Sequence, residues 1–285
     1  MNFINQIDEF PYQVTLFLLG CQILIRCKYK VCLDGIAATF SPVVCIPSHT
    51  PDVVIDCDWE KAGRYLFRTR PPEDTEPLFG VQVHTQGKLA ESDWPFLEPP
   101  IPPLVVEPFR NRFIGLHAGS VQTSSGKCLI FLGNRGSGKT TTTLALVNNH
   151  KCSLLTDETV FIHRRTKLVE PFPRSVHLRE THNGSLRKVS VSADKACQVV
   201  ADKPALATHI IFLEPDEKVQ EQEFSSLTPA EAFRNFLKHH LNAGCCPDES
   251  MVTLFKLACE VPAFMYRYTT YEDLLSLPEK CLEIC

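Results

Sequence analysis

Apolar and polar residues are arranged in two different ways along this chain. In the first hundred residues the apolar runs are short and β-favouring, at positions 12–25, 43–46, 53–55 and 80–83, and Pro, Asp and Gly turn signals separate them. One helix is expected near residues 33–40. Between positions 95 and 108 the sequence PFLEPPIPPLVVEP carries proline at 95, 99, 100, 102, 103 and 108, which is too stiff for helix and too poor in N–H donors for a central strand. This stretch separates a β-rich N-terminal module, residues 1–105, from a second domain, residues 106–285. No catalytic constellation stands in the module.

Past the prolines the pattern becomes strand, glycine loop, helix, strand. Residues 128–132 (CLIFL) form a continuous apolar run of buried-strand length, 133–138 are glycine-rich, and 140–149 read as a helix with Leu144, Ala145, Leu146 and Val147 on its buried side. A second buried strand begins at Ser153. Residues 160–163 and 168–169 flank Arg164-Arg165-Thr166-Lys167 as a hairpin, and THIIFL at 208–213 is a further strand. Thr228-Pro229-Ala230-Glu231 has an N-cap Thr, Pro at the first helical position and Glu at the third, followed by Phe233, Phe236, Leu237, His240 and Leu241 at helical spacing. A second helix places Met251, Leu254, Phe255 and Ala258 on one face and stops at Pro262, leaving 264–268 as the last strand. The second domain is α/β.

Composition narrows the setting without naming a partner. The 285 residues carry 29 Lys+Arg against 33 Asp+Glu, a formal charge of -4, and 44% are hydrophobic, which excludes disorder and a membrane bundle. With a sequence pI of about 6.2, bulk attraction to nucleic acid or anionic lipid is not an organising feature. The longest apolar run, 14–25, is about half a membrane span and is broken by Gly20 and Gln22. Asp8 and Glu9 stand where a signal peptide needs positive charge. A cytoplasmic protein is expected. The 13 cysteines are odd in number, scattered and without a C-x-x-C pair, so they read as small buried hydrophobes in a reducing compartment rather than a disulfide frame or zinc knuckle. Cys245-Cys246 with His239-His240 is the single cluster with metal-ligand chemistry, and adjacent cysteines ligate one ion poorly.

The chemistry concentrates at Gly133-Asn134-Arg135-Gly136-Ser137-Gly138-Lys139-Thr140, which satisfies G-x-x-x-x-G-K-[ST] at every fixed position between an apolar strand and a helix. Chance alone would supply the four fixed positions in roughly one chain of this length in a hundred. Glycines let backbone N–H groups converge on phosphate oxygens, and the helix N-terminus adds partial positive charge there. These eight residues with Thr141 are the candidate nucleotide-binding set. Lys139 would reach the β and γ phosphates and the Thr140 hydroxyl would hold Mg2+. The next strand ends Leu154-Leu155-Thr156-Asp157-Glu158. Asp157 is thus placed to hold the metal or to take a proton from an attacking hydroxyl, and a turn Asp before the hairpin is the alternative.

Three segments in order resemble the HPr kinase/phosphorylase family: Leu116-His117-Ala118-Gly119-Ser120, the loop 133–140, and Leu154-Leu155-Thr156-Asp157-Glu158 directly after the helix. The resemblance covers about residues 107–285. It implies a phosphoenolpyruvate-carboxykinase-like P-loop domain, with a mixed sheet and helices packed on one side, preceded by the small β-rich module. It also implies phosphorylation of a Ser or Thr hydroxyl, with His117 near the transferred phosphate. In the family an acidic pair supplies base and metal ligand. That pair reads here as Asp157-Glu158, or as Thr156-Asp157 if the strand aligns without a gap. The family's E-[IL]-R-G-x-G segment has no equivalent, and residues 169–179 stand roughly in its place, where Arg174 and His177 are candidate acceptor-binding residues.

The expected function is an ATP-dependent, Mg2+-requiring kinase acting on a hydroxyl of a peptide, small protein or small molecule. Lys139, Asp157 and His117 are its catalytic candidates, and Thr140, Asp157 and Glu158 its metal candidates. The alternatives are a plain NTPase and a nucleotide-binding recognition module without phosphotransfer. No nucleic-acid or membrane partner is expected, and homo-oligomerisation is left open, as are the acceptor and the reverse dephosphorylation.

Overall fold

The computed structural model describes residues 9–48, 50–60, 64–70, 82–86, 112–182, 185–241, 243 and 247–285. The proline-rich segment 95–108, the start of the apolar run at Gly80-Val81, and Cys245-Cys246 lie outside them. The chain forms two compact units, Met1–Leu104 with His177–Ser192, and Val105–Val176 with Ala193–Cys285.

In the first unit β1 (Tyr12–Leu18) and β2 (Cys21–Cys27) pair antiparallel, with Leu18 opposite Cys21. The apolar run at 12–25 is therefore a hairpin. Its two turn residues, Leu19 and Gly20, have φ of 54° and 71°, the primed-turn conformation whose twist matches the flanking strands. Leu19 is an unusual residue there, and burial of its side chain offsets the backbone cost. Helix α1 (Lys30–Thr39) and the short β3 (Val44–Cys45) follow, then β4 (Val53–Glu60), β5 (Arg64–Arg70) and β6 (Gln82–Gln86). The strands make a six-stranded sheet in the order β3-β1-β2-β4-β5-β6, in which β2 and β4 run parallel across the α1 crossover.

The second unit opens with β7 (Phe113–Leu116), β8 (Ala118–Gln122) and β9 (Cys128–Gly133), followed by α2 (Lys139–Asn149), β10 (Ser153–Thr156), β11 (Val160–His163) and β12 (Leu168–Glu170). The β11–β12 hairpin pairs Phe161 with Glu170 and Ile162 with Val169. The chain then runs into β13 (Val176–His182) and β14 (Ser185–Val191), a two-stranded sheet of its own. Next come α3 (Ala193–Ala196), β15 (Ala205–Pro215), β16 (Glu223–Ser226), α4 (Pro229–His239), α5 (Pro247–Glu260), β17 (Ala263–Tyr268) and α6 (Tyr271–Glu283). The nine-stranded sheet follows the order β10-β8-β9-β15-β12-β11-β7, with β17 also paired to β15 and β16 to β17. It is mixed: β9 and β17 run parallel to β15, whereas β8 is antiparallel to β9.

Helices cover both faces of this sheet, where one covered face was expected. Cys128, Ile130 and Leu132 of β9 share a core with Phe236 of α4 and Leu254, Leu257 and Ala258 of α5. Ala118 of β8 joins that core, while its neighbour Gly119 turns the other way, toward Thr143 of α2. All six residues of β9 are buried, so each face needs its own apolar cover, which α4 and α5 supply on one side and α2, packed on α6, on the other.

The capping box expected at Thr228 is formed, with Glu231 accepting from the Thr228 N–H at 2.9 Å and Thr228 Oγ1 accepting from the Glu231 N–H at 3.4 Å. Helix α6 was not among the elements expected. It starts at an equivalent box, Thr270 with Asp273, but carries Pro278 in its interior, and a proline there argues against helix by every local rule. No disulfide joins the described cysteines, and among the described residues no helix is long and apolar enough to cross a membrane.

Phe236 is fully buried and meets Phe212 edge-on at 5.5 Å between centroids. Phe236→Ala should destabilise the second unit by about 3–5 kcal/mol. Denaturant unfolding of the variant checks this, and a loss below about 1 kcal/mol would contradict the α4–sheet core.

Candidate active site

Three segments far apart in sequence reach one edge of the large sheet because of how β8 is paired. Ala118, at its start, lies opposite Leu132 near the end of β9, so His117 stands beside Gly133. On its other side β8 pairs with β10, placing Thr156 opposite Ser120 and Asp157 just beyond. The C-terminal ends of β9 and β10 thus present the glycine loop and an acidic residue side by side.

The loop 133–138 turns sharply between β9 and α2. Gly136 and Gly138 hold φ of 86° and 76°, and a Cβ at Gly138 would fall 2.3 Å from Leu274 Cδ2 of α6. Glycine is required there by conformation and by contact. Asn134 and Arg135 are exposed, Ser137 is buried, and Thr141 is half-buried on the first turn of α2. Lys139 is 7% exposed, and its ammonium donates to the carbonyls of Gly133 at 2.7 Å and Asn134 at 3.0 Å. Burial lowers the pKa of Lys139, and the charges of Asp157 and Glu158 oppose that shift.

The Thr140 hydroxyl donates to both oxygens of Asp157, at 3.1 and 2.9 Å. Asp157 is 2% exposed, and its pKa is pushed up to about 6, chiefly by burial, although the Thr140 bond pulls it down. Glu158 points elsewhere. It adopts a φ of 71°, its carboxylate accepts from Arg174 Nη2 at 2.9 Å, and its carbonyl accepts from the Ala118 N–H at 3.3 Å. His117 Nδ1 lies 3.1 Å from the same carbonyl, which can only accept, so Nδ1 carries the hydrogen and Nε2 keeps its lone pair. Burial and the nearby Lys139 charge lower the pKa of His117.

Arg174 is 7% exposed in the segment after Pro171-Phe172-Pro173, and its charge acts on both Asp157 and His117. Lys139, Thr140, Asp157, Glu158, His117 and Arg174 are thus brought together. His177 is the second residue of β13 and is assigned to the first unit.

No family model matches this chain, and no curated protein does. Among solved structures, the HPr(Ser) kinase/phosphatase from Coxiella burnetii is similar with a TM-score of 0.34 and 13% identity, over 59% of this chain and 88% of that one. A similarity of that size leaves function to be argued from the residues.

Among the described residues no group of three or more His, Cys, Asp or Glu side chains is placed to hold a metal ion. A Mg2+ ion beside a nucleotide asks for less. It keeps several waters and takes one or two protein oxygens plus phosphate oxygens, and the Thr140 hydroxyl and Asp157 carboxylate are hard oxygen donors of that kind. Gly119 is a supporting residue that its motif did not explain: a Cβ there would lie 2.8 Å from Thr143 Cγ2 and 3.5 Å from Asp157 Oδ1.

Asp157 ionises near 6 in the fold against an ordinary value of 3.8, so the folded protein holds this proton more tightly than the unfolded chain does between those values. Stability therefore falls as pH rises through that window, and above it the buried charge costs about 3 kcal/mol. In metal-free buffer Asp157→Asn should melt above the wild type at about pH 7, and the difference should close below about pH 4. Thermal melts of both proteins across this range check it, and equal melting temperatures at neutral pH would contradict a buried, strained charge.

Proposed function

We propose that this chain is an ATP-dependent, Mg2+-requiring kinase that transfers the γ-phosphoryl group to a Ser or Thr hydroxyl of a peptide, small protein or small molecule. The observation that carries this reading is the Thr140 hydroxyl bonded to both Asp157 oxygens beside the buried Lys139 ammonium. A glycine turn without a role in phosphate chemistry gains nothing from burying a cation and a carboxylate at its end. The reading goes with a phosphoenolpyruvate-carboxykinase-like arrangement of the second unit.

The loop amides and the N-terminus of α2 bind the phosphates, and Lys139 exchanges its two carbonyl partners for β- and γ-phosphate oxygens. Thr140 and Asp157 would hold Mg2+, which when bound neutralises charge on the phosphates. Asp157 also orients the acceptor hydroxyl: its carboxylate accepts the O–H proton as the oxygen bonds to γ-phosphorus and the bond to the ADP oxygen breaks. Its raised pKa keeps it a better proton acceptor than an exposed aspartate and still ionised at neutral pH. His117 offers Nε2 as a second acceptor, an uncharged one, near Lys139. Arg174, held by Glu158, places positive charge beside the same atoms.

31P NMR with Mg-ATP, free serine and a pool of Ser/Thr peptides tests this. A phosphomonoester signal that requires an acceptor and disappears in Asp157→Asn is expected, with nucleotide binding retained in that variant. Lys139→Ala should lower the transfer rate roughly 10^2–10^3-fold, about 3–4 kcal/mol of transition-state stabilisation, and wild-type turnover in it would sink the assignment. ADP and inorganic phosphate without an ester would favour an NTPase, and unchanged ATP despite binding would favour a recognition module.

A further inference from the structure

Another imidazole is placed over this sheet edge. His239 is the last residue of α4 and is 9% exposed. Its carbonyl accepts the His117 N–H at 2.8 Å, and the next residue, His240, forms an antiparallel bridge with Leu116. Its ring stacks on Phe212, with centroids 6.5 Å apart and planes at 29°. Both anchors lead to the same point. Ala118, after His117, pairs with Leu132 of β9 from one side, and Phe212 pairs with Leu132 from the other. Leu132 immediately precedes Gly133, so His239 stands over the strand end that launches the phosphate loop.

The ring's electrostatic neighbours are Lys139, His117 and Lys238. Among the described residues its ring nitrogens form no hydrogen bond, and neither is one of the buried polar atoms without a partner. Most of the ring is buried, yet its nitrogens are not sealed from solvent, so a ligand at this sheet edge can meet one of them. With the Lys139 charge and the His117 ring both acting on it, the chemistry that fits is an anionic oxygen. Burial and the Lys139 charge also lower the basicity of His239, to a pKa of about 4, so near neutral pH the ring is uncharged and offers one N–H donor.

We propose that His239 is a further binding residue of this site, donating a ring N–H to an oxygen of the terminal phosphoryl group of a bound nucleoside triphosphate. This rests on the kinase reading above and adds to it a contact that separates triphosphate from diphosphate. The C-terminus of α4 then carries part of the selectivity for the loaded nucleotide.

Isothermal titration of the full chain with a Mg2+-bound, non-hydrolysable ATP analogue and with Mg-ADP tests the assignment. His239→Leu keeps an apolar contact with Phe212 and removes the donor; it should weaken the analogue roughly tenfold and leave ADP unchanged. His239→Gln keeps an N–H donor and should recover most of the analogue's affinity. His239→Phe serves the donor-free comparison if the leucine variant does not fold. Equal weakening of both nucleotides would reduce His239 to packing, and wild-type affinity for both would remove it from the site. Lys139→Ala in parallel separates the two ideas. If the wild type binds neither nucleotide, the kinase reading falls and takes this contact with it. If Lys139→Ala loses the analogue while the donor-free variant binds it like the wild type, the His239 assignment alone falls.

Discussion

The close approach of α2 to β8 is the constraint on which the site depends. At Gly119 a single Cβ would lie 2.8 Å from Thr143 on the helix, so the helix comes this close because that strand position has no side chain, and the Asp157 carboxylate stands at ordinary contact distance, 3.5 Å, from the same point. One turn earlier on the same helix, Thr140 then falls within hydrogen-bond distance of both Asp157 oxygens. Protein interiors are close-packed and relax poorly, so filling this position would push on Thr143 and shift α2 away from the strand.

Burying Lys139 and Asp157 together sets the electrostatics. Desolvation disfavours both charges, lowering the pKa of the lysine and raising that of the aspartate, while their mutual attraction opposes each shift. Arg174 and Glu158 make a second pair at the edge, so Asp157 has positive charge nearby without being consumed by a direct ion pair. The left-handed backbone at Glu158 lets one residue do two jobs. Its carboxylate holds Arg174, and its carbonyl fixes the His117 tautomer. Strain of this kind persists when surrounding bonds over-determine it, and functional sites are where it collects.

The C-terminal half of the chain braces the loop from both faces of the sheet. Leu274 of α6 packs against Gly138 on one side, and Tyr266 holds that helix by donating to the Asp273 carbonyl. On the other side α4 ends with His239 bonded to His117 through the backbone. On the kinase reading proposed above, such preorganisation is what the chemistry would use, since positioning and fixed dipoles carry most of the acceleration in phosphoryl transfer.

Local signals were enough for much of this. The β9–loop–α2 unit, the hairpin of β11 and β12 and the capped start of α4 each depend on residues within a few positions of one another, where periodicity, turn chemistry and caps act. The glycine loop 133–138 and the start of α2 were readable for the same reason. What tertiary structure alone decided involves partners distant in sequence. The pairing of Glu158 with Arg174, the meeting of Thr140 with Asp157, and the His117–His239 contact all follow from strand order, which a local pattern does not encode. Leu19 in a left-handed turn and Pro278 inside α6 go further, because there burial overrode the local preference: backbone propensity amounts to a few kcal/mol at most, and the packing of a core side chain matches it. The sequence by itself determined the glycine loop 133–138 and the elements on either side of it. The tertiary structure decided which charges, carbonyls and rings stand around that loop, because those depend on contacts between residues that only the folded sheet brings together.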